Sequence, residues 1–196
     1  MSQPTHLMRR LFDLMIAFFG LIILSPIFVL LFFIGLLSSH SPLFFQKRVG
    51  RFQKPFSLIK FRTMRVGTLS LATHLVDSSA VTPFGGFLRK TKLDEFPQLW
   101  NVLKGEMSLV GPRPCLFNQK ALIKERAKLN VFKALPGITG LAQISGIDMS
   151  KPKLLAETDA QMLKELNLRM YFNCIWITVM GKRIDVRVKI SDQKSK

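Results

Sequence analysis

From Leu11 to Leu37 the chain is one apolar run, interrupted at its midpoint by Ser25-Pro26 and flanked on both sides by basic residues. As a straight helix, its roughly 27 residues would be about 40 Å long, more than the roughly 30 Å of bilayer hydrocarbon, so length permits a span. Pro26 has no N–H for the carbonyl of Ile22, and the Ser25 hydroxyl can bend back to the carbonyl of Leu21; both favour a bend. Arg9 and Arg10 precede the run and Lys47, Arg48 and Arg51 follow it. A spanning helix would leave one basic flank on the unfavoured side, whereas re-entry keeps both cytoplasmic. A kinked single span stays open on these residues alone, because neighbouring groups can re-satisfy freed backbone groups. The run exceeds the ~7–15 residues of a signal-peptide core, and Ser38-Ser39-His40-Ser41-Pro42 is a poor cleavage site.

Charge narrows the partners. The 196 residues hold 29 Lys+Arg against 12 Asp+Glu, a net charge of +17 that calls for an anionic partner. Nucleic acid, anionic lipid headgroups and phosphorylated substrates all qualify, and the membrane segment favours the last two. Nucleic acid loses ground because most aromatic residues sit in apolar runs instead of alternating with Lys and Arg. Cys115 and Cys174 lie far apart, so neither a disulfide framework nor a cysteine zinc site is indicated.

After the apolar run, Phe44 to Val49 and Phe56 to Phe61 read as a β-hairpin turning near Gly50 and Pro55. A polar surface loop is expected from Arg65 to Thr82. Phe96, Leu99, Trp100 and Leu103 have the spacing of a short amphipathic helix, with Pro97 in its first turn and Gly105 as its stop. Further helices are expected over Leu116–Leu129 and Lys153–Leu166, with a break at Pro136-Gly137-Ile138-Thr139-Gly140. The apolar, aromatic stretch Leu168–Met180 reads either as a helix in the membrane interface or as a core helix. The tail beyond Arg183 is polar and basic, suited to anionic lipid or to fraying.

Chemistry concentrates at Arg89-Lys90-Thr91-Lys92-Leu93-Asp94-Glu95-Phe96-Pro97, where two carboxylates open a helix among cations. Successive helical residues point about 100° apart, so Asp94 and Glu95 are poorly placed to share a proton and separate roles follow. One carboxylate could attack an electrophile and the other hold Mg²⁺, which is commonly bound through one or two carboxylates plus substrate phosphates. The plain alternative is that both complement a helix dipole. Gly111-Pro112-Arg113-Pro114 fixes an arginine fork suited to phosphate. Lys60, Arg62 and Arg89 could add positive charge around a diphosphate, or form a solvated or lipid-facing basic surface. Pro136–Gly140 is either an anion-binding backbone cradle or a plain turn. His6, His40 and His74 lack metal-type spacing, and neither a Ser-His-Asp arrangement nor a Walker loop is present.

In order, Lys60-Phe61-Arg62-Thr63-Met64, Leu93-Asp94-Glu95 through Gln98-Leu99-Trp100-Asn101-Val102-Leu103-Lys104-Gly105, Met107-Ser108-Leu109-Val110-Gly111-Pro112-Arg113-Pro114, and Pro136–Gly140 resemble the bacterial sugar transferase family, the monotopic phosphoglycosyl transferases. The resemblance covers nearly the whole chain. It implies transfer of a sugar 1-phosphate from a UDP-sugar to undecaprenyl phosphate with release of UMP, which initiates assembly of an O-antigen, capsule, exopolysaccharide or protein-linked glycan. It implies Asp94 as the nucleophile forming a covalent phosphosugar, Glu95 as the Mg²⁺ ligand, and Lys60, Arg89 and Arg113 as phosphate-binding residues. It implies placement at the cytoplasmic face of the bacterial inner membrane, with both termini cytoplasmic, on anionic phospholipid, and with downstream glycosyltransferases as partners.

The fold expected is α+β and mainly helical. Residues 1–40 would form a re-entrant membrane helix hairpin broken at Ser25 and Pro26. Residues 41–183 would form a compact cytosolic catalytic domain with a small β-hairpin and interfacial amphipathic helices, and residues 184–196 a basic tail. No multi-span segment precedes the apolar run, so the minimal catalytic form is expected. Leu141, Ser145, Ile147 and Met162 depart from the residues frequent in the family (tryptophan, asparagine, arginine and tyrosine), which bears on donor-sugar and nucleotide contacts. The reading of a different class is a membrane-anchored, non-catalytic binder of anionic lipid or nucleic acid.

Overall fold

A computed structural model describes residues 3–68 and 80–184. Most of the loop expected over residues 65–82, and the basic tail from residue 185, lie outside the described residues.

Helix α1, Gln3–Ser39, is 37 residues long, about 55 Å at 1.5 Å per residue. It continues through Ser25 and Pro26, so the expected hairpin is one helix and not two joined by a turn. The reason lies in the pair itself. Pro26 leaves the Ile22 carbonyl without its usual donor, and the Ser25 hydroxyl donates to that same carbonyl at 2.7 Å, not to Leu21. Much of the surface of α1 is exposed and apolar, with Leu11, Phe18, Ile23, Leu30, Phe33 and Leu37 all more than half exposed. A helix with these properties is long and apolar enough to cross a bilayer.

Both halves of α1 nonetheless dock on the rest of the chain. Before Pro26, Arg10 donates to the carbonyls of Val102 (2.8 Å) and Met107 (3.2 Å). The buried Asp13 carboxylate accepts from the Leu109 N–H (2.9 Å) and the Tyr171 hydroxyl (2.8 Å). After Pro26, the Phe28 ring lies 5.0 Å from that of Phe61, and Leu31 is buried with Phe61 and Leu88.

Strands β1 (Leu43–Val49) and β2 (Pro55–Phe61) form the expected antiparallel hairpin, in the register Phe44 to Lys60 and Arg48 to Phe56. The turn Arg51–Gln53 carries Phe52 and Gln53 at positive φ. Alternation along β2 puts Lys60 on the face of buried Phe56 and Leu58, and the register adds Arg48 and Gln46 from β1 to that face. Helix α2, Pro83–Thr91, is capped by the Thr82 hydroxyl, which accepts from the Gly85 N–H at 2.9 Å. A Cβ on Gly85 would lie 2.0 Å from the Thr63 carbonyl oxygen, so only glycine lets α2 sit there.

Helix α3, Gln98–Leu103, packs Leu99 and Leu103 of its expected apolar face against the core, but Trp100 is exposed, while Gln98, Asn101 and Val102 are buried. The Asn101 amide explains the departure. It donates to the Ser57 carbonyl (2.8 Å) and accepts from the Ile59 N–H (3.1 Å), serving the free edge of β2.

Pro136–Gly140 is more than a plain turn, since it carries a short strand. Strand β4, Gly137–Thr139, pairs in parallel with β3, Ser108–Val110. The Gly137 N–H is taken by the Pro112 carbonyl (2.9 Å), and the Gly111 N–H by that of Thr139 (2.8 Å). A Cβ on Gly137 would lie 2.0 Å from the Gly111 nitrogen, which is why the two glycine motifs close on each other.

The remaining helices are α4 (Lys120–Lys128), α5 (Leu141–Ile144), α6 (Pro152–Glu165) and α7 (Leu168–Val179). Tyr171 and Cys174 of α7 enter the core, while Trp176 and Val179 are exposed. Helices α4 and α6 are joined by a buried ion pair, in which Arg126 donates to Asp159 at 2.9 and 2.6 Å. Arg126 also donates to the Arg113 carbonyl at 2.8 Å.

Removing one member of that pair strands a buried charge. Asp159→Ala is expected to cost about 3–5 kcal/mol, and the double replacement Arg126→Met with Asp159→Leu clearly less, as read by denaturant unfolding in detergent micelles.

Candidate active site

Several elements converge on one cavity of about 560 Å³. The hairpin supplies Arg48 and Lys60, α2 supplies Arg89, and the extended segment after β3 supplies Arg113. Asp94 and Glu95 enter from a 3₁₀ turn, Leu93–Glu95, that precedes α3 and follows Lys92 in left-handed conformation (φ 58°). They were expected in the first turn of a helix. With about three residues per turn they still point well apart.

Their environments differ. Glu95 is fixed by Arg113, whose guanidinium lies 3.0 Å from Oε1. Among the described residues nothing hydrogen-bonds to the Asp94 carboxylate. Burial, and then repulsion from Glu95, push the Asp94 carboxyl up to about 6, against the pull of Lys60, Arg113 and Arg89. Lys60 is brought down to about 8, first by burial and then by repulsion from Arg48, with Asp94 opposing. Arg48 is lowered to about 10, mainly by burial and then by Arg113.

Two of the arginines are aimed by neutral neighbours. Arg89 donates to the Thr63 hydroxyl at 3.0 Å. Arg48 bonds to Gln46 Oε1 at 3.0 and 2.5 Å and to the Pro114 carbonyl at 3.1 Å. The carbonyl of Arg113 is held by Arg126, so the backbone of the Gly111–Pro114 segment is pinned from both sides.

All five expected site residues, Asp94, Glu95, Lys60, Arg89 and Arg113, thus line the cavity. Arg62 does not; it donates to the carbonyl of Ser41 at 2.8 Å, at the exit of α1. Ser25 and Pro26 lie on α1, outside this cavity. Sequence reasoning placed Lys92 in the charged cluster without a role and missed Arg48, Gln143, Thr178, Lys182 and Arg183, which also line it. For Arg48 a signal existed: hairpin register places it on the face of Lys60. For the C-terminal residues nothing in the sequence gave their return to the site.

Seven cationic side chains (Arg48, Lys60, Arg89, Lys92, Arg113, Lys182 and Arg183) face two carboxylates in this cavity. That surplus suits a ligand bearing several negative charges, such as a diphosphate. Among the described residues no cluster of three or more His, Cys, Asp or Glu could hold a metal by protein ligands alone. One or two carboxylates plus substrate phosphates is the donor set Mg²⁺ commonly uses, and the Glu95 carboxylate fits it.

The sequence profile of the bacterial sugar transferases matches residues 4–182, from α1 to the cavity-lining Lys182. The chain belongs to the bacterial sugar transferase family. Within the family it is 45% identical over 141 residues to the uncharacterized sugar transferase EpsL of Bacillus subtilis, covering 71% of this chain and 69% of EpsL. It is 35% identical over 159 residues to an uncharacterized sugar transferase of Haemophilus influenzae, covering 72% of this chain and 34% of that protein. It is 34% identical over 191 residues to the UDP-glucose:undecaprenyl-phosphate glucose-1-phosphate transferase of Escherichia coli, covering 91% of this chain and 41% of that protein. The chain therefore spans less than half of two of these relatives.

The electrostatics of this sugar transferase site can be read directly. The Asp94 carboxyl is expected to titrate near pH 6 in ¹³C NMR difference spectra against Asp94→Asn. In Lys60→Met the midpoint moves higher, because a cation that favours the carboxylate is gone.

Proposed function

We propose that this protein transfers a sugar 1-phosphate from a UDP-sugar to undecaprenyl phosphate, with Asp94 as the nucleophile. The observation that carries the reading is the contrast between the two adjacent carboxylates. Glu95 is tied to Arg113, whereas Asp94 is unbonded, poised near neutrality and surrounded by cations. The name of the Escherichia coli relative supports the reaction class.

An Asp94 oxygen attacks the phosphorus that carries the sugar. The bond from that phosphorus to the bridging oxygen breaks, and UMP leaves with that oxygen. A phosphate oxygen of the acceptor then attacks the same phosphorus, the acyl-phosphate bond breaks, and the Asp94 carboxylate is restored with a lipid-linked diphosphosugar as product. Lys60, Arg89 and Arg113 stabilise charge on the transferring phosphoryl group, a task for preorganised cations in a site of low dielectric. Arg48 and Lys92 add to the same field. Mg²⁺, held by Glu95 and the donor phosphates, would neutralise further charge on the diphosphate.

The membrane reading rests on α1. A helix standing across a bilayer could touch a cytosolic domain only near one end, but α1 touches this domain at Asp13 and again at Leu31. Both basic flanks then lie on one side, which fits a monotopic protein on the cytoplasmic face of the inner membrane with both termini cytoplasmic. Exposed Trp176 and Val179 on α7 suit the interface with anionic phospholipid. The product would pass to glycosyltransferases that extend a surface glycan.

The test is UMP release from a panel of UDP-sugars with undecaprenyl phosphate. Asp94→Asn is expected to lower turnover by on the order of 10³ or more and to abolish the phosphosugar adduct seen by intact-protein mass spectrometry. Chelation by EDTA should stop release and added Mg²⁺ should restore it. Since a raised carboxylate pKa withholds the nucleophile at low pH and a lowered lysine pKa loses the cation at high pH, kcat/KM for the donor should rise through about 6 and fall above about 8. Unchanged turnover in Asp94→Asn would overturn Asp94 as the nucleophile, and absence of UMP release from every UDP-sugar would leave a binder of anionic lipid as the better reading.

A further inference from the structure

A second cleft, of about 330 Å³ and lined mostly by apolar atoms, runs between α1 and α7. Its walls are Gly20 and Leu24 on one side and Ile175 and Val179 on the other, with Leu99 below. Gly20 gives it depth: a Cβ there would already press to 3.2 Å from the Leu99 side chain. At its inner end the cleft shares Lys92, Glu95, Thr139 and Thr178 with the cationic cavity. At its outer end, neighbouring Ile23 and Ile27 of α1 are exposed. The Lys92 ammonium sits at the junction, 3.0 Å from the Thr178 carbonyl near the C-terminal end of α7, on a largely exposed side chain free to turn.

An apolar channel that ends in a lysine and opens on a reactive carboxylate matches one kind of ligand: a single apolar chain ending in a phosphomonoester. We propose that this cleft seats the isoprenoid units nearest the phosphate of the acceptor lipid, and that Lys92 meets that phosphate as it reaches the Asp94 cavity. The inference rests on the transferase reading above. A membrane phospholipid is a poorer match, because its phosphate is already a diester carrying a glycerol with two chains. Lys92 can exchange the Thr178 carbonyl for a phosphate oxygen, a charge-assisted bond of greater strength.

The full chain in lipid nanodiscs tests this with two acceptors, undecaprenyl phosphate and the short geranyl phosphate. Leu24→Trp and Val179→Trp each fill the cleft, and Val179 is 72% exposed, so its replacement leaves the core intact. Both are expected to raise KM for undecaprenyl phosphate about tenfold, with far less effect on geranyl phosphate and on the KM for the UDP-sugar. Lys92→Gln should raise KM for both acceptors. Independently of turnover, a diazirine-bearing prenyl phosphate should label Asp94→Asn protein on α1 and α7 beside the cleft, and excess undecaprenyl phosphate should suppress the labelling while phosphatidylglycerol does not. Equal suppression by phosphatidylglycerol, labelling elsewhere, or unchanged acceptor KM in both tryptophan variants of an active enzyme overturns the cleft. Absence of UMP release from every UDP-sugar would instead overturn the transferase reading, and the labelling experiment would still decide the cleft.

Discussion

One buried carboxylate fixes the relation between the apolar helix and everything else. Asp13 sits on α1, yet its oxygen is spent on the Leu109 N–H at β3 and on the Tyr171 hydroxyl at α7, with Arg10 close by on the carbonyls of Val102 and Met107. A charge this buried is tolerated only where its hydrogen bonds are made, and these partners come from elements far apart in sequence. The contact therefore sets the helix in register with α3, β3 and α7 together. Those same elements border the cationic cavity and the apolar cleft, so the depth of α1 in a bilayer becomes the depth of the site.

The site in turn depends on rigid aiming of charge. Seven cations share one cavity, where burial first and then repulsion from neighbouring cations lowers Lys60 and Arg48. The fold holds them with neutral acceptors: Gln46 and the Pro114 carbonyl for Arg48, Thr63 for Arg89. Arg113 alone takes a carboxylate, Glu95. The remaining repulsion is a store of affinity for an anion, and a diphosphate entering the cavity would relieve it. Buried Arg126 and Asp159 contribute from behind, because the guanidinium that closes this pair also grips the Arg113 carbonyl.

What could be read in the sequence was what local physics decides. Alternating runs gave the β1–β2 hairpin, and the carboxylates among cations gave Asp94 and Glu95. What escaped were features fixed by partners distant in sequence. The spacing of Leu99 and Trp100 pointed to an apolar face on α3, but the unpaired edge of β2 claims Asn101 and turns Trp100 outward. Gly137 looked like turn chemistry, whereas it is glycine because Gly111 lies against it in a parallel pair that no local pattern reveals. Asp13, within an otherwise apolar stretch, was the one residue whose oddity could have been followed, since a charge there demands a buried partner.

The Ser25-Pro26 pair shows how a membrane helix can be weakened without being broken. A proline inside lipid strands a carbonyl, and an unsatisfied carbonyl in hydrocarbon costs several kcal/mol. Here the serine hydroxyl one residue before the proline supplies the missing donor to Ile22, so the helix goes on while its ladder loses one rigid N–H···O link at mid-length. That loss falls between the two docking regions, Asp13 to Gly20 on one side and Phe28 to Gly35 on the other. A stiff helix fixed at one region would have to meet the second by chance of its own curvature. A helix compliant at its middle can satisfy both.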